Sequence, residues 1–185
     1  MSYSLQQLSD LEEIRQLTAR YFRCIDTGNE AELADCFTED VTIDLRGGGY
    51  RLQVSGLEDM VDFIGSSFNS DIVAMHHGHT PEISFTGPDE ARGTWYLQDR
   101  FIDPVREADT IGTSLYYDLY RRTPDGWRVA HSEYDRVYEA VLPIDPKMKI
   151  TAHLLGERGR PPEKRVDTAK WLVWFDEEKG EGEQE

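Results

Sequence analysis

The chain has 185 residues, 38% of them hydrophobic, which is enough for one domain of ordinary size with a real apolar core. Its 20 basic residues stand against 36 acidic ones, and the resulting formal charge of −16 argues against a nucleic-acid backbone or an anionic membrane as partner. No apolar run approaches the roughly 20 residues of a membrane span and no signal peptide precedes the first predicted helix, so a cytoplasmic protein is expected.

Ser9-Asp10-Leu11-Glu12 reads as a capping box that opens a helix, with an earlier start near Ser4 as the alternative. Leu8, Leu11, Ile14, Leu17, Tyr21 and Ile25 then recur every three or four residues, which predicts one buried stripe ending at Thr27-Gly28. Tyr21 and Asp26 fall on or just past the last turn. A short second helix is predicted from Asn29, burying Leu33, Cys36 and Phe37. Val41, Ile43 and Leu45 alternate as a strand, Gly47-Gly48-Gly49 turns, and Tyr50 to Val54 returns. Ser55-Gly56-Leu57-Glu58 is expected to cap a third helix with Leu57, Met60, Val61, Ile64 and Phe68 as its apolar positions.

The stretch from Ala74 to Phe101 reads as two strands joined by a Thr86-Gly87-Pro88-Asp89 turn. Strand alternation places Trp95, Leu97, Asp99 and Phe101 on one face, so Asp99 stands in an apolar row. A carboxylate there finds a donor, takes up a proton, or lines a wet pocket. His76 and His77 must point to opposite faces of their strand. Two further strands follow, Thr110 to Arg122 and Trp127 to Tyr138, joined by the Pro124-Asp125-Gly126 turn.

Three N-terminal helices and a run of hairpin-linked strands predict an α+β fold, a cone-shaped barrel of curved antiparallel sheet wrapped on the helices and enclosing a cavity. Residues 1–142 form the predicted catalytic domain, and 143–185 a C-terminal extension broken by prolines 143, 146, 161 and 162. Within the extension, Trp171-Leu172-Val173-Trp174-Phe175 is too apolar to be left in water and is expected to pack on the domain or on a neighbouring subunit. An acidic tail runs from Asp176. Self-association, as a trimer, is expected from the exposed sheet face and this apolar segment.

The polar residues at the ends of apolar elements are Tyr21, Asp26, His76 and Asp99, followed by Arg100, Tyr117, His131 and Tyr134 as substrate-binding candidates. A histidine with a carboxylate partner is a competent proton acceptor near neutral pH, because the partner fixes its tautomer and stabilises the imidazolium. The bland alternatives are a helix-terminal turn residue for Asp26, a core aromatic for Tyr21 and a simple ion pair for Asp99. His77-x-His79 with Glu82 or His131 is the rival metal reading, but it lacks the Gly-rich setting of the strand sites it imitates. Cys24 and Cys36 have no metal-type spacing and read as reduced core thiols.

Three segments carry a resemblance: Tyr21-Phe22-Arg23-Cys24-Ile25-Asp26, then Met75-His76 with Gly78-His79-Thr80-Pro81-Glu82-Ile83, and Trp95-Tyr96-Leu97 with Asp99-Arg100. Together they resemble the bacterial bile acid 7α-dehydratases of the nuclear transport factor 2-like superfamily, also called SnoaL-like or scytalone dehydratase-like. The likeness runs from about Arg15 to Thr151. It implies a cofactor-free, usually trimeric hydro-lyase acting on a hydroxylated steroid, its coenzyme A thioester included, with catalytic residues at Tyr21, Asp26, His76 and Asp99. In that role His76, oriented by Asp26, takes the proton, Asp99 supplies one to the departing hydroxyl, and Tyr21 either donates to the enolate or shares the base role. A non-catalytic binder of hydrophobic ligands and a steroid isomerase are the alternatives within the same fold. The dense basic stretches, Arg121-Arg122 with Arg128 and the segment holding Arg158, Arg160, Lys164 and Arg165, read as a solvated strand end and a basic loop offsetting the acidic tail, with a clamp for a thioester's phosphates as the alternative role of the second.

Overall fold

A computed structural model describes residues 3–175, so the acidic tail lies outside the described residues. Helix α1 (Leu5–Thr27) begins at the earlier of the two expected starts. The Ser4 hydroxyl accepts from the Gln7 amide at 3.1 Å, and the Gln7 side chain returns to the Ser4 amide at 3.0 Å. The Ser9 box therefore lies inside the helix, where Asp10 serves another purpose: buried, it pairs with Arg122 at 2.6 Å and accepts from the Trp127 indole at 3.2 Å. Leu8 turns out to the surface, while Leu11, Ile14, Leu17, Tyr21 and Ile25 form the buried stripe. Gly28 ends the helix at φ 65°, the left-handed conformation that a side chain would strain.

Helix α2 (Glu30–Ala34) is capped by the Asn29 side chain, as its sequence predicts. Strands β1 (Phe37–Arg46) and β2 (Tyr50–Ser55) follow, and Phe37 opens β1 instead of closing α2. Helix α3 (Leu57–Ser67) starts after Gly56 with no side-chain cap, and Phe63 takes the buried place that the pattern assigns to Val61. Then come β3 (Val73–Phe85), β4 (Glu90–Asp103), β5 (Ala108–Thr123) and β6 (Gly126–Pro143), the first and last of these links being the turns the sequence signals.

These strands and a short seventh, β7 (Leu172–Trp174), join one curved sheet in the order β3-β4-β5-β6-β1-β2-β7, which does not close on itself. The fold is α+β, as expected. One pairing escapes hairpin reasoning: β1 runs parallel to β6, with Ile43 opposite Ser132 and Leu45 opposite Tyr134. That pairing joins the first hairpin to the four-strand meander, and α1 packs across the concave side. The core combines the α1 stripe with Val41, Ile43, Leu52, Met60, Trp95, Leu97 and Tyr120. Burying a side chain of this size contributes about 1.5–3 kcal/mol, and this cluster holds the layers together.

Beyond β6 the chain crosses back over the helices. Helix α4 (Leu154–Arg158) buries Leu155, and Arg160 then bonds Glu30 on α2 and Asp62 on α3 at 2.8 Å each. Arg165 holds Asp71 and Ser70, Trp171 packs on Phe63, and β7 (Leu172–Trp174) adds to the free edge of β2. Two of the four candidate phosphate-clamp residues, Arg160 and Arg165, are thus fasteners between elements. Arg158 and Lys164 stay exposed.

Candidate active site

The open end of the sheet and the ends of α1 and α3 enclose a cavity of about 640 Å³, a volume ordinary for small-molecule sites. Ile25, Ile43, Leu52, Phe63, Ile64 and Phe68 supply its apolar lining, and its polar groups come from α1, β3, β4, β5 and β6. Tyr21, His76, Asp99 and Tyr134 all reach this one space.

His76 is held by Asp26 at two points. One carboxylate oxygen accepts from the His76 backbone amide at 2.9 Å, and the other lies 2.6 Å from ring Nδ1. An ionised carboxylate only accepts, so Nδ1 carries the proton and Nε2 keeps its lone pair for chemistry. The imidazole is sandwiched between Phe22, stacked at 6.2 Å, and Phe68, edge-on at 5.0 Å. Asp26 itself lies behind the histidine and faces a second groove, which Arg15, Arg23, His77 and His79 also line.

Asp99 meets the first of the three outcomes open to it: it finds a donor. A single Arg136 nitrogen lies 2.8 and 2.7 Å from its two carboxylate oxygens, and the Nε of Arg136 lies 2.9 Å from Glu139. Gly112 makes room for this cluster. It sits opposite Asp99 in the β4–β5 register and opposite Glu139 in the β5–β6 register. A Cβ there would meet the Arg136 guanidinium at 2.6 Å and Asp99 at 3.1 Å. Burial works against the charge of Arg136, but the neighbouring Tyr134 and Asp99 outweigh it and raise the pKa of Arg136.

Tyr21 and Tyr116 line the same wall. Burial pushes both hydroxyls above the ordinary phenol range, with Asp118 adding to the effect at Tyr21 and Tyr21 itself at Tyr116. Tyr134 bonds the Tyr50 hydroxyl, and burial raises it likewise. Beneath this wall lies a polar group with no opening to the cavity. The Tyr120 hydroxyl donates to Asp118 at 2.7 Å and accepts from the Trp95 indole at 2.8 Å. Burial raises Asp118 to about 6.

Of the other expected residues, Arg100 does border the cavity, bound to Asp109 at 2.6 and 2.9 Å. Tyr117 lies on the outer face of β5, partly exposed, because Tyr116 takes the inward place. His131 bonds Thr42 at 2.7 Å, again outside the cavity lining. His77 and His79 stand edge to face at 6.1 Å on the edge strand β3, and among the described residues no three metal-ligating side chains gather. Cys24 and Cys36 are free and buried, their thiols pushed up by burial to about 11 and about 12. Neither is a thiolate at neutral pH.

The sequence reading missed Arg136, Glu139, Tyr116 and Tyr50. Tyr116 directly faces Tyr134 across the hairpin, but a register shift between Leu119 and Tyr120 separates that pair from the Pro124-Asp125-Gly126 turn, so the turn alone could not have found it.

The fold is α+β with a curved, open sheet, and its cavity is bordered by a histidine that Asp26 holds from behind; comparison with known proteins supplies the family. The chain belongs to the SnoaL-like domain family, whose model matches residues 6–133. It is similar to a type 2 hexachlorocyclohexane dehydrochlorinase (LinA), with 17% identity, TM-score 0.68, and 78% of this chain and 99% of that one covered. A scytalone dehydratase-like protein from Novosphingobium aromaticivorans aligns with 19% identity and TM-score 0.63, covering 78% and 97%. A Mycobacterium tuberculosis protein of unknown function covers 93% of this chain and 96% of its own at 18% identity and TM-score 0.62. At such identities the likeness speaks to the fold. Among the described residues, no helix is long and apolar enough to cross a membrane.

Proposed function

We propose that this protein is a cofactor-free lyase that eliminates water from a hydroxylated steroid or a similar polycyclic substrate. The observation that carries the proposal is the doubly anchored His76–Asp26 pair, which sits in the wall of an apolar cavity and faces a second carboxylate cluster. A pure binder has no need of an imidazole with one nitrogen fixed and the other free. The sequence segments that resemble the bile acid 7α-dehydratases hold Tyr21, Asp26, His76 and Asp99, and that resemblance directs the proposal to a steroid carrying a 3-oxo-4-ene group.

In this reading Nε2 of His76 removes a proton from a carbon made acidic by the conjugated ketone, and Asp26 stabilises the imidazolium that forms. Negative charge moves to the ketone oxygen, where the Tyr21 hydroxyl donates a hydrogen bond. Its raised pKa makes Tyr21 a donor and not a base. The electron pair then expels the hydroxyl, which leaves as water after taking the proton that His76 removed. Asp99 does not supply that proton as its sequence setting suggested: paired with Arg136, which has Glu139 as its other carboxylate partner, it accepts a hydrogen bond from the hydroxyl before it leaves. His76 is thereby returned to its starting state.

The test is to mix the protein with 7-hydroxy-3-oxo-4-ene steroids and follow ultraviolet absorbance and mass. A red-shifted conjugated diene with the mass of one water lost supports the lyase. An isomerase would conserve mass, and a binder would change neither.

A further inference from the structure

The segment that follows the matched family domain builds one wall of the cavity. Strand β7 pairs with β2 so that Leu172 lies opposite Leu52 and Trp174 opposite Tyr50. Alternation along the strand then gives Leu172 and Trp174 one face and Val173 the other. The cavity lining follows this alternation: Leu172 and Trp174 border it beside Leu52, Tyr50 and Thr168, while Val173 does not. Trp174 rests edge-on against Tyr50 at 5.7 Å, and Tyr50 reaches inward to the Tyr134 hydroxyl. Trp174 is 64% exposed, an apolar surface at the lip of an apolar cavity.

The anchoring is uneven. Arg160, Arg165, the Val166 amide on Ser66 and Trp171 on Phe63 secure the upstream part. Among the described residues, the end of β7 is held by three ladder positions, the Trp174 contact with Tyr50 and a bond from the Phe175 amide to Gly49 at 2.9 Å.

We propose that Leu172 and Trp174 form a specificity wall, supplied by the C-terminal segment and not by the family domain, which reads the end of a neutral, flat, polycyclic ligand remote from His76. The indole covers the ligand's face, and the ligand in turn covers the indole. This deepens the reading of the cavity as a substrate pocket and rests on it, but it does not depend on which reaction follows.

The experiment uses the full chain and 1-aminoanthracene, a neutral tricyclic fluorophore that brightens in apolar surroundings. Wild type should bind it saturably. Leu172→Ala with Trp174→Ala should weaken binding about tenfold or more, since two large apolar contacts are lost. Trp174→Ala alone, which removes an exposed side chain and leaves the core untouched, should show a smaller loss, and Trp174→Phe should retain most of the affinity. Val173→Ala should bind like wild type. Circular dichroism checks that each variant is folded. Equal affinity in wild type and both alanine variants, an equal loss in Val173→Ala, or no saturable binding by wild type would overturn the wall. Loss of the dehydratase reading alone would look different, with no steroid turned over but the probe affinities ordered as stated.

Discussion

At the scale of single residues, the site turns on which imidazole is used and how it is held. His76→Ala should lower turnover by about 10²- to 10⁴-fold, the range for removing a positioned general base, while His77→Leu should change it little. Steady-state rates of the two variants check this, and a loss at His77 as deep as that at His76 would reassign the base. Asp118 makes a second prediction, because its folded pKa of about 6 lies above its ordinary value of 3.8. The folded protein then binds that proton more tightly than the unfolded chain, so this group favours folding below about pH 4 and progressively loses that contribution as pH rises through 6. Asp118→Asn keeps an acceptor for Tyr120 without the charge. It should therefore be more stable than wild type at pH 8, by up to about 3 kcal/mol, with the gap closing near pH 4. Urea unfolding at both pH values measures that difference, and a gap independent of pH would contradict it.

At the scale of elements, the β5–β6 hairpin decides where the polar cluster stands. A register shift between Thr113 and Ser114 inserts Val137 into β6, and the inward side changes parity across it: Tyr134 and Arg136 before, Glu139 and Val141 after. Arg136 and Glu139 could not share a face on a regular strand, and here they flank one another in the cavity. Gly112→Ala should break this arrangement, since its Cβ would sit 2.6 Å from the guanidinium. Separating Arg136 from Asp99 leaves buried charge uncompensated, so thermal unfolding should show a loss of about 3 kcal/mol or more, together with lost activity. An unchanged midpoint would show that the cluster shifts freely.

The same bulge explains what could be read from sequence. The turns at Thr86–Asp89 and Pro124–Gly126, the α1 stripe and the inward placing of Trp95, Leu97 and Asp99 followed from local chemistry, and all are present. The partner of Asp99 did not, because a bulge leaves no mark in periodicity and Arg136 is 37 residues away. Nor did the parallel pairing of β1 with β6, which is a long-range choice. The Ser9 box misled because Asp10 answers to Arg122 and Trp127, groups more than a hundred residues distant. Tyr117 and His131 were polar residues on the right strands but on the wrong faces.

At the scale of the whole molecule, the outer face of the sheet leaves Tyr96, Val137 and Tyr138 about half exposed. We propose that this face is covered by further copies of the chain, and the resemblance noted in the sequence points to a trimer. Light scattering at micromolar concentration should return three times the chain mass, and a monomer would remove the argument.

Asp26 has a further consequence, because β3 is an outermost strand of the sheet and its backbone is a ready template for another chain. The His76 amide that Asp26 occupies is one of the donors such a template would offer. We propose that the carboxylate which holds the His76 ring also shields this stretch of edge from pairing with another chain. Asp26→Asn retains a carbonyl oxygen for the amide and should stay soluble though impaired, whereas Asp26→Ala should form thioflavin-positive aggregates on incubation. Equal solubility of the two would separate the guard from the catalyst.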